Sequence, residues 1–497
     1  MRRLALIRSR VESRATPRAI PCIATRIAAR RTRSMATITT VGVLMITSFV
    51  PRRATGQARP DTLHLTLADA VETAVRRAVT VQLADIDRAV GGVALLEAYS
   101  RFLPSLVAGV GVGLQAGSSL LGASSTTASD AQFRVGTWQL SASLNLFNGW
   151  RDQATVRAAL SGRDAADLSL VRAKQLVAFD VTQAFEQVVL DQQLTGVAEA
   201  ALAISRARED QLTEQVRVGN RAPPDLLRQR AQTAADRVRL IGVRNRERAD
   251  RVSLLLRLRM APGTPVRLEA PLTLADSGPA PDRADLLAAR ALAARPDLAA
   301  ARARVSAADE LTRFARGGWL PRLDLGLDLL GSARTFDYER QGGANVLTVS
   351  QRPFLEQLGS QRVGALSLGV SWVLSDRGRT RADVERARLS ADRERVRAED
   401  VRLAVLGEVD RALADNEAAR EAMQAARAGL DAAEEAFTAV QGRYDVGLAS
   451  FIELTTAQGA LIDARAQAAA AEVNLVLQAS VLRLVVGDVR PDLRRAR

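Results

Sequence analysis

The sequence predicts a mainly α protein with a small β part, written twice in one chain. Three observations predict it. Val79, Thr80 and Pro104 recur as Pro296, Asp297 and Pro321 at an offset of 217, while Asn148, Gly219 and Asp225 recur as Asp376, Gly447 and Glu453 at 228. Two runs without proline, Arg151 to Val218 and Arg379 to Val446, have helical character. Four further segments alternate apolar with polar or tiny residues, the period of a two-faced strand. A repeat this long is an internal duplication, and too large a unit for a solenoid.

The first 58 residues read as a leader. Arg30, Arg31 and Arg33 precede the apolar stretch Ala36 to Val50, and Gly56 and Ala58 suit cleavage after Ala58. These residues also hold 12 arginines and one glutamate out of a net +14, so the rest of the chain carries only +3. The basicity sits in the leader, and a nucleic-acid partner is not expected. Cys22, the single cysteine, lies there too, which leaves no disulfide framework.

Each repeat, 59–262 and 285–488, then reads alike. A helical segment (Leu67 to Phe102 in the first copy) runs to a Leu-Pro pair and becomes a strand: Leu106, Ala108, Val110, Val112 and Leu114 share one face, and in the second copy Leu323, Leu325 and Leu327 alternate with Asp324, Gly326 and Asp328. Loops at 116–136 and 331–363 lead to return strands, with Leu140, Leu144 and Leu146 or Leu366, Leu368, Val370 and Trp372 on the apolar face. Segments near ten residues, apolar on one side, have the pattern of lipid-facing strands in a membrane barrel. A half-buried soluble sheet shows the same alternation. Behind an export leader and paired through polar loops, the four favour the membrane.

The long helices follow, with Leu389, Val396 and Leu403 seven apart as in a coiled coil. Gly219 and Gly447 end them, since glycine suits the left-handed position after a helix, and each chain doubles back into a shorter helix. About seventy residues make a rod of roughly 105 Å; the two shorter helices of each repeat, laid end to end, have about the same length. Each repeat is therefore two columns, one continuous and one split midway. The Pro- and Gly-rich connector 263–284 suits a collar at the split, and 489–497 is a tail. Four strands cannot close a barrel, and open edges are forbidden in lipid. The chain must oligomerise; a dimer would give eight strands, a trimer twelve.

As a set, "LTLADAV", "ARPDL", "LP" before a strand, "LNLFNGW", "WVLSDRGR" and the "VG" turns resemble the TolC-like outer-membrane efflux proteins, from about Leu63 to Asp488. The resemblance implies a homotrimer whose twelve-stranded transmembrane β-barrel sits in outer-membrane lipid and continues into an α-barrel across the periplasm. It implies passive export, a periplasmic adaptor (membrane fusion) protein and an inner-membrane transporter as partners, and no cofactor. It marks the helical tips as the entrance: Glu453 and Asp225 at acidic positions, Thr456 where some members carry a second acid, and Tyr444 at a tyrosine whose hydrogen bonds help hold the bundle shut. Ala449 stands where a basic partner is expected. The turns Val218, Gly219, Asn220 and Val446, Gly447, Leu448 are the adaptor-docking positions. Taken alone, an acid in a helix's first turn is also what the helix dipole favours.

Enzyme signatures are missing: one histidine, no Cys/His cluster, no phosphate-cradling glycine loop. An export duct is the reading; the alternative is a periplasmic coiled-coil scaffold without a pore.

Overall fold

The computed structural model describes residues 63–120, 128–269, 283–340 and 352–488. The leader 1–58, most of the connector and the tail 489–497 lie outside them. Strand β1 (Leu63–Thr66) enters α1 (Leu67–Arg77) and α2 (Val79–Ser100); β2 (Ser105–Leu120) and β3 (Ala128–Phe147) follow, then α3 (Arg151–Arg217) and α4 (Pro223–Arg257). Strand β4 (Val266–Glu269) lies in the connector. The second repeat runs α5 (Ala284–Ala294), α6 (Pro296–Arg316), β5 (Arg322–Arg340), α7 (Phe354–Ser360), β6 (Arg362–Ser371), α8 (Arg379–Asp445) and α9 (Phe451–Val486).

The long helices have 67 residues each, roughly 100 Å. Helices α1, α2 and α4 have 11, 22 and 35, and α5, α6 and α9 have 11, 21 and 36. In both repeats the split column is one residue longer than the rod beside it. The split falls midway: Val181, Phe185 and Val188 of α3 pack with Ala74 of α1, Leu254 and Leu255 of α4, Leu65 of β1 and Val266 of β4. Val405, Val409 and Ala412 of α8 meet Leu287 and Ala291 of α5 and Val485 and Val486 of α9 in the same way. Gly487, at φ +87°, turns the chain where α9 abuts α5; a Cβ there would lie 3.2 Å from Ala294 backbone.

Three expectations need correction. The helix before each strand is two helices, broken at Ala78 and Arg295, both extended (φ −61°, ψ 132° and φ −71°, ψ 122°). In the second copy Pro296 forces the break, because the residue before proline is driven out of the α region; Arg295, 3% exposed, holds it through ion pairs with Asp297 and Glu408. The strands outrun the predicted loops: β2 and β3 pair from Ser105/Ser143 to Leu120/Ala128, and β5 continues to Arg340. The segment 331–363 also contains α7. In addition, β1 and β4 form a short parallel pair, Leu63–Thr66 against Val266–Glu269.

The main sheet has the order β2-β3-β5-β6, antiparallel throughout. The helices repeat that order. Column α2/α4 packs on α3, α3 on column α6/α9, and that column on α8. Each strand thus continues into the helix below it.

Candidate functional site: barrel wall and helical tips

Side chains directly opposite in a ladder share a face, so register decides which strand residues act together. Leu106 opposes Ala142, Ala108 opposes Leu140, Leu144 opposes Leu325, Ala142 opposes Leu327, and Leu323, Leu325 and Leu327 oppose Val370, Leu368 and Leu366. One face is therefore apolar across all four strands. The other carries Ser105, Ser141, Ser143, Asn145, Asp324, Asp328 and Ser367. Nothing layers over most of the apolar face: Val110 is 85% and Leu366 76% exposed. Leu146 falls in a register shift between Asn145 and Phe147, and Trp372 lies one residue past β6, its indole N–H donating to the Trp319 carbonyl at 3.0 Å.

The junction from strand to helix explains one repeated pair. Asn148 Oδ1 accepts from the amides of Arg151 and Asp152 at 3.1 and 3.3 Å, and Asp376 Oδ2 accepts from the Thr380 amide at 2.7 Å. Both residues satisfy amides left free at the start of a rod.

At the far end, the two tip turns are superimposable in pattern. Gly219 and Gly447 both have φ +79°. Asn220 N–H donates to Gln215 O at 2.8 Å and Gly219 N–H to Val216 O at 3.1 Å; Leu448 N–H donates to Arg443 O at 2.8 Å and Gly447 N–H to Tyr444 O at 3.0 Å. This is the Schellman arrangement, which needs a left-handed residue after the helix. Val218, Val446 and Leu448 are exposed apolar side chains beside these glycines.

The four helices meet in a small core of Leu212, Leu226, Tyr444, Phe451 and Leu454. Tyr444 is buried, and its hydroxyl makes no hydrogen bond among the described residues. Its ring carries the contacts: the Arg221 guanidinium lies 4.7 Å and that of Arg208 5.8 Å from its centroid, with Phe451 edge-on at 6.5 Å. Burial pushes the Arg208 guanidinium below its ordinary range, and the neighbouring Tyr444 and Asp445 oppose that. Sequence reasoning missed both arginines, because neither lies near Tyr444 in the chain. Glu453 and Asp225 are each the third residue of their helix. Glu453 closes a capping box with Ser450: Ser450 Oγ accepts from the Glu453 amide at 3.2 Å and Glu453 Oε2 accepts from the Ser450 amide at 3.1 Å. Asp225 instead pairs with Arg228 at 3.4 Å. Thr456 donates its hydroxyl to the Ile452 carbonyl at 2.8 Å. Among the described residues no group of His, Cys, Asp or Glu could hold a metal.

Comparisons with known proteins agree with this geometry. Residues 287–488 match the family model Outer membrane efflux protein. The fold is shared with the outer membrane protein VceC of Vibrio cholerae (TM-score 0.69, 18% identity, 85% of this chain and 96% of that one). It is shared also with the CmeC outer membrane channel of Campylobacter jejuni (TM-score 0.72, 16% identity, 87% of each chain). The pyoverdine export outer membrane protein OpmQ of Pseudomonas putida is 27% identical over 190 residues, 38% of this chain but only 36% of that protein's length.

The fold is the one those outer-membrane channels have, long helices of an α-barrel continuous with strands of a β-barrel. Within the chain, it is the second repeat that carries the resemblance to the outer membrane efflux proteins.

Proposed function

We propose that three copies form a twelve-stranded barrel and a twelve-column tunnel that gives substrates a passive exit, as part of a tripartite efflux or type I secretion system. The single observation that carries this is the coincidence of unfinished edges. Strands β2 and β6 are the outer strands of the sheet, and α2 and α8 lie on the same two sides of the helical layer. Both helices bear bare apolar seams: Leu83, Ile86, Val90 and Val93 on α2, Leu389, Val396 and Leu403 on α8. An edge that pairs with the opposite edge of the next copy is a heterologous contact, which repeats until a ring closes. Closure would satisfy the free strand amides and cover both seams in one step.

In this reading the apolar wall (Leu140, Leu144, Leu323, Leu325, Leu327, Leu366, Leu368, Val370) meets lipid and the polar face lines the lumen. The tips around Glu453, Asp225, Tyr444 and Thr456 form the periplasmic entrance, and the turns at Val218–Asn220 and Val446–Leu448 receive the adaptor protein, which links the tunnel to an inner-membrane transporter. Residues 1–58 serve as the export signal, 59–262 and 285–488 as the repeats, and 263–284 as part of the collar. The scaffold alternative would need something to cover the apolar face of the sheet.

The test is assembly. Detergent-extracted protein should run as a heat-resistant trimer and conduct in planar bilayers. Leu144→Arg turns a charge toward lipid at roughly 2–4 kcal/mol per copy near the midplane and should abolish membrane assembly; normal assembly would reverse the assignment of faces.

A further inference from the structure

The helix α7 lies against the outside of the barrel wall. Its Phe354 ring fills the space over Gly136, where an added Cβ would come within 2.3 Å of it. Trp138, on the same face as Leu140, donates its indole N–H to the Leu358 carbonyl at 3.0 Å. Gln357, 5% exposed, accepts from the Arg334 amide at 2.9 Å and donates to the Arg352 carbonyl at 2.8 Å. The Arg334 bond comes just beyond Gly331, the residue at which β6 stops pairing with β5. A side chain thus takes over the ladder where the strand ends, which blunts that edge.

The height of α7 is informative. Strand β6 has ten residues, and β5 runs nine residues from Leu323 to Gly331 inclusive; a tilted strand needs about 9–11 to cross the hydrocarbon. Helix α7 therefore sits where the apolar band gives way to headgroups, on the side of the band remote from the helices, and β3 and β5 continue past it. It packs on β3 and β5, the middle strands of the subunit, so its outward side points away from the edges that neighbouring copies would cover. That outward side carries Leu355, 79% exposed, and the segment is bracketed by exposed Arg352 and Arg362. One apolar anchor between two cations, which outnumber the exposed Glu356 beside it and are continuous with a lipid-facing wall, has the chemistry of an interfacial helix on an anionic membrane surface.

We infer that α7 is an outer-leaflet rim element: Leu355 enters the headgroup boundary, and Arg352 and Arg362 bind the phosphates of surrounding lipid. This rests on the channel reading, and the experiment separates the two. With the one native thiol, Cys22, lying in the export signal, single cysteines at Leu355, Leu366 and Ser367 are labelled with bimane in trimers reconstituted into phosphatidylethanolamine–phosphatidylglycerol vesicles. Bromines placed shallow or deep on the lipid, and aqueous iodide, serve as quenchers. The Leu355→Cys label should be quenched several-fold more by shallow bromines than by deep ones and resist iodide, Leu366→Cys should respond to deep bromines, and Ser367→Cys to iodide. Double reversal Arg352→Glu, Arg362→Glu should weaken shallow quenching at position 355 when phosphatidylglycerol is present and leave it unchanged without it. Iodide quenching alone at 355, with Leu366→Cys still lipid-quenched, overturns the rim while the channel stands. Absence of lipid quenching at 366 overturns the channel reading itself.

Discussion

The hairpins α3–α4 and α8–α9 have the same shape and different glue. Both begin with rods of 67 residues and turn on a glycine at φ +79°. Between α3 and α4 a small apolar cluster of Ala198, Leu202 and Leu240 is flanked by polar contacts: Ser205 Oγ donates to Asp236 Oδ2 at 2.5 Å, Gln229 Nε2 donates to the Ser205 carbonyl at 3.0 Å, Thr195 Oγ1 donates to Glu247 at 3.1 Å, and Asp191 meets Asp250. At the offset of 228, Asp191, Ser205, Gln229 and Asp236 become Ala419, Ala433, Ala457 and Ala464. There α8 and α9 approach through an apolar cluster of Ala419, Met423 and Leu475, with the exposed pair Glu434–Arg465 at 3.0 Å as a polar link. Length and end signals fix a hairpin's geometry; its interface is free to diverge. Directional bonds in the first hairpin pin one register, whereas an apolar interface without them resists sliding less. The second hairpin is accordingly the one expected to move, and hydrogen exchange should be faster along α9 than along α4.

The sharpest way to break that contrast is at Asp191. Fully buried, it has its carboxyl pushed up to about 7 by burial first, then by the hydrogen bond and charge of Asp250; the Gln187 amide and Arg246 pull the other way. Because the folded state holds this proton more tightly than the unfolded chain, the contribution of Asp191 to stability is greatest below about pH 4 and is lost as pH rises through 7. Asp191→Asn, whose amide still donates to Asp250, should stabilise the α3–α4 half above pH 7 on the order of 3 kcal/mol and merge with the parent near pH 4. Parallel stability curves across that range would deny the shared proton.

Next in size is Asp236→Ala, which leaves the buried Ser205 hydroxyl and the Gln232 amide without their acceptor and should cost about 2–3 kcal/mol. Arg465→Ala in the second hairpin breaks a pair about half exposed on both sides and should cost under about 1 kcal/mol. Equal losses, read by denaturant unfolding of the detergent-solubilised protein, would mean that the two interfaces are held alike.

Much of this architecture is legible in the amino-acid sequence. Periodicity and the two glycines define the rods to within a residue, because rod length depends on local signals alone. Alternation picks out the apolar side of the ladder, except at Leu146, where a register shift follows from the partner strand, and at Trp372, just past a strand end. What escapes are features set by distant residues. Arg295 holds its break through Glu408, 113 positions away, and the Ala78 break carries no proline to announce it. The polar stretch 331–363 conceals α7, whose anchors Gly136 and Trp138 belong to the other repeat. At the tip, Tyr444 reads as a hydrogen-bonding residue, yet its neighbours are guanidinium groups over its ring.

The smallest effects separate structural from gating roles at the tip acids. Ser450 caps α9, but the equivalent Ala222 offers α4 no side-chain acceptor. Ser450→Ala should lower stability by about 1 kcal/mol, and Ala222→Ser, already extended at φ −76° and ψ 139°, should raise it by a smaller amount. Glu453 needs a finer substitution, since its carboxylate both completes the cap and would contribute to a ring of charge on the threefold axis. Glutamine at that position still reaches back to the Ser450 amide but carries no charge. Glu453→Gln should therefore leave unfolding within about 0.5 kcal/mol of the parent while reducing cation preference in planar bilayers, as the loss of a charged ring predicts. Unchanged selectivity with unchanged stability would leave Glu453 as a helix cap alone.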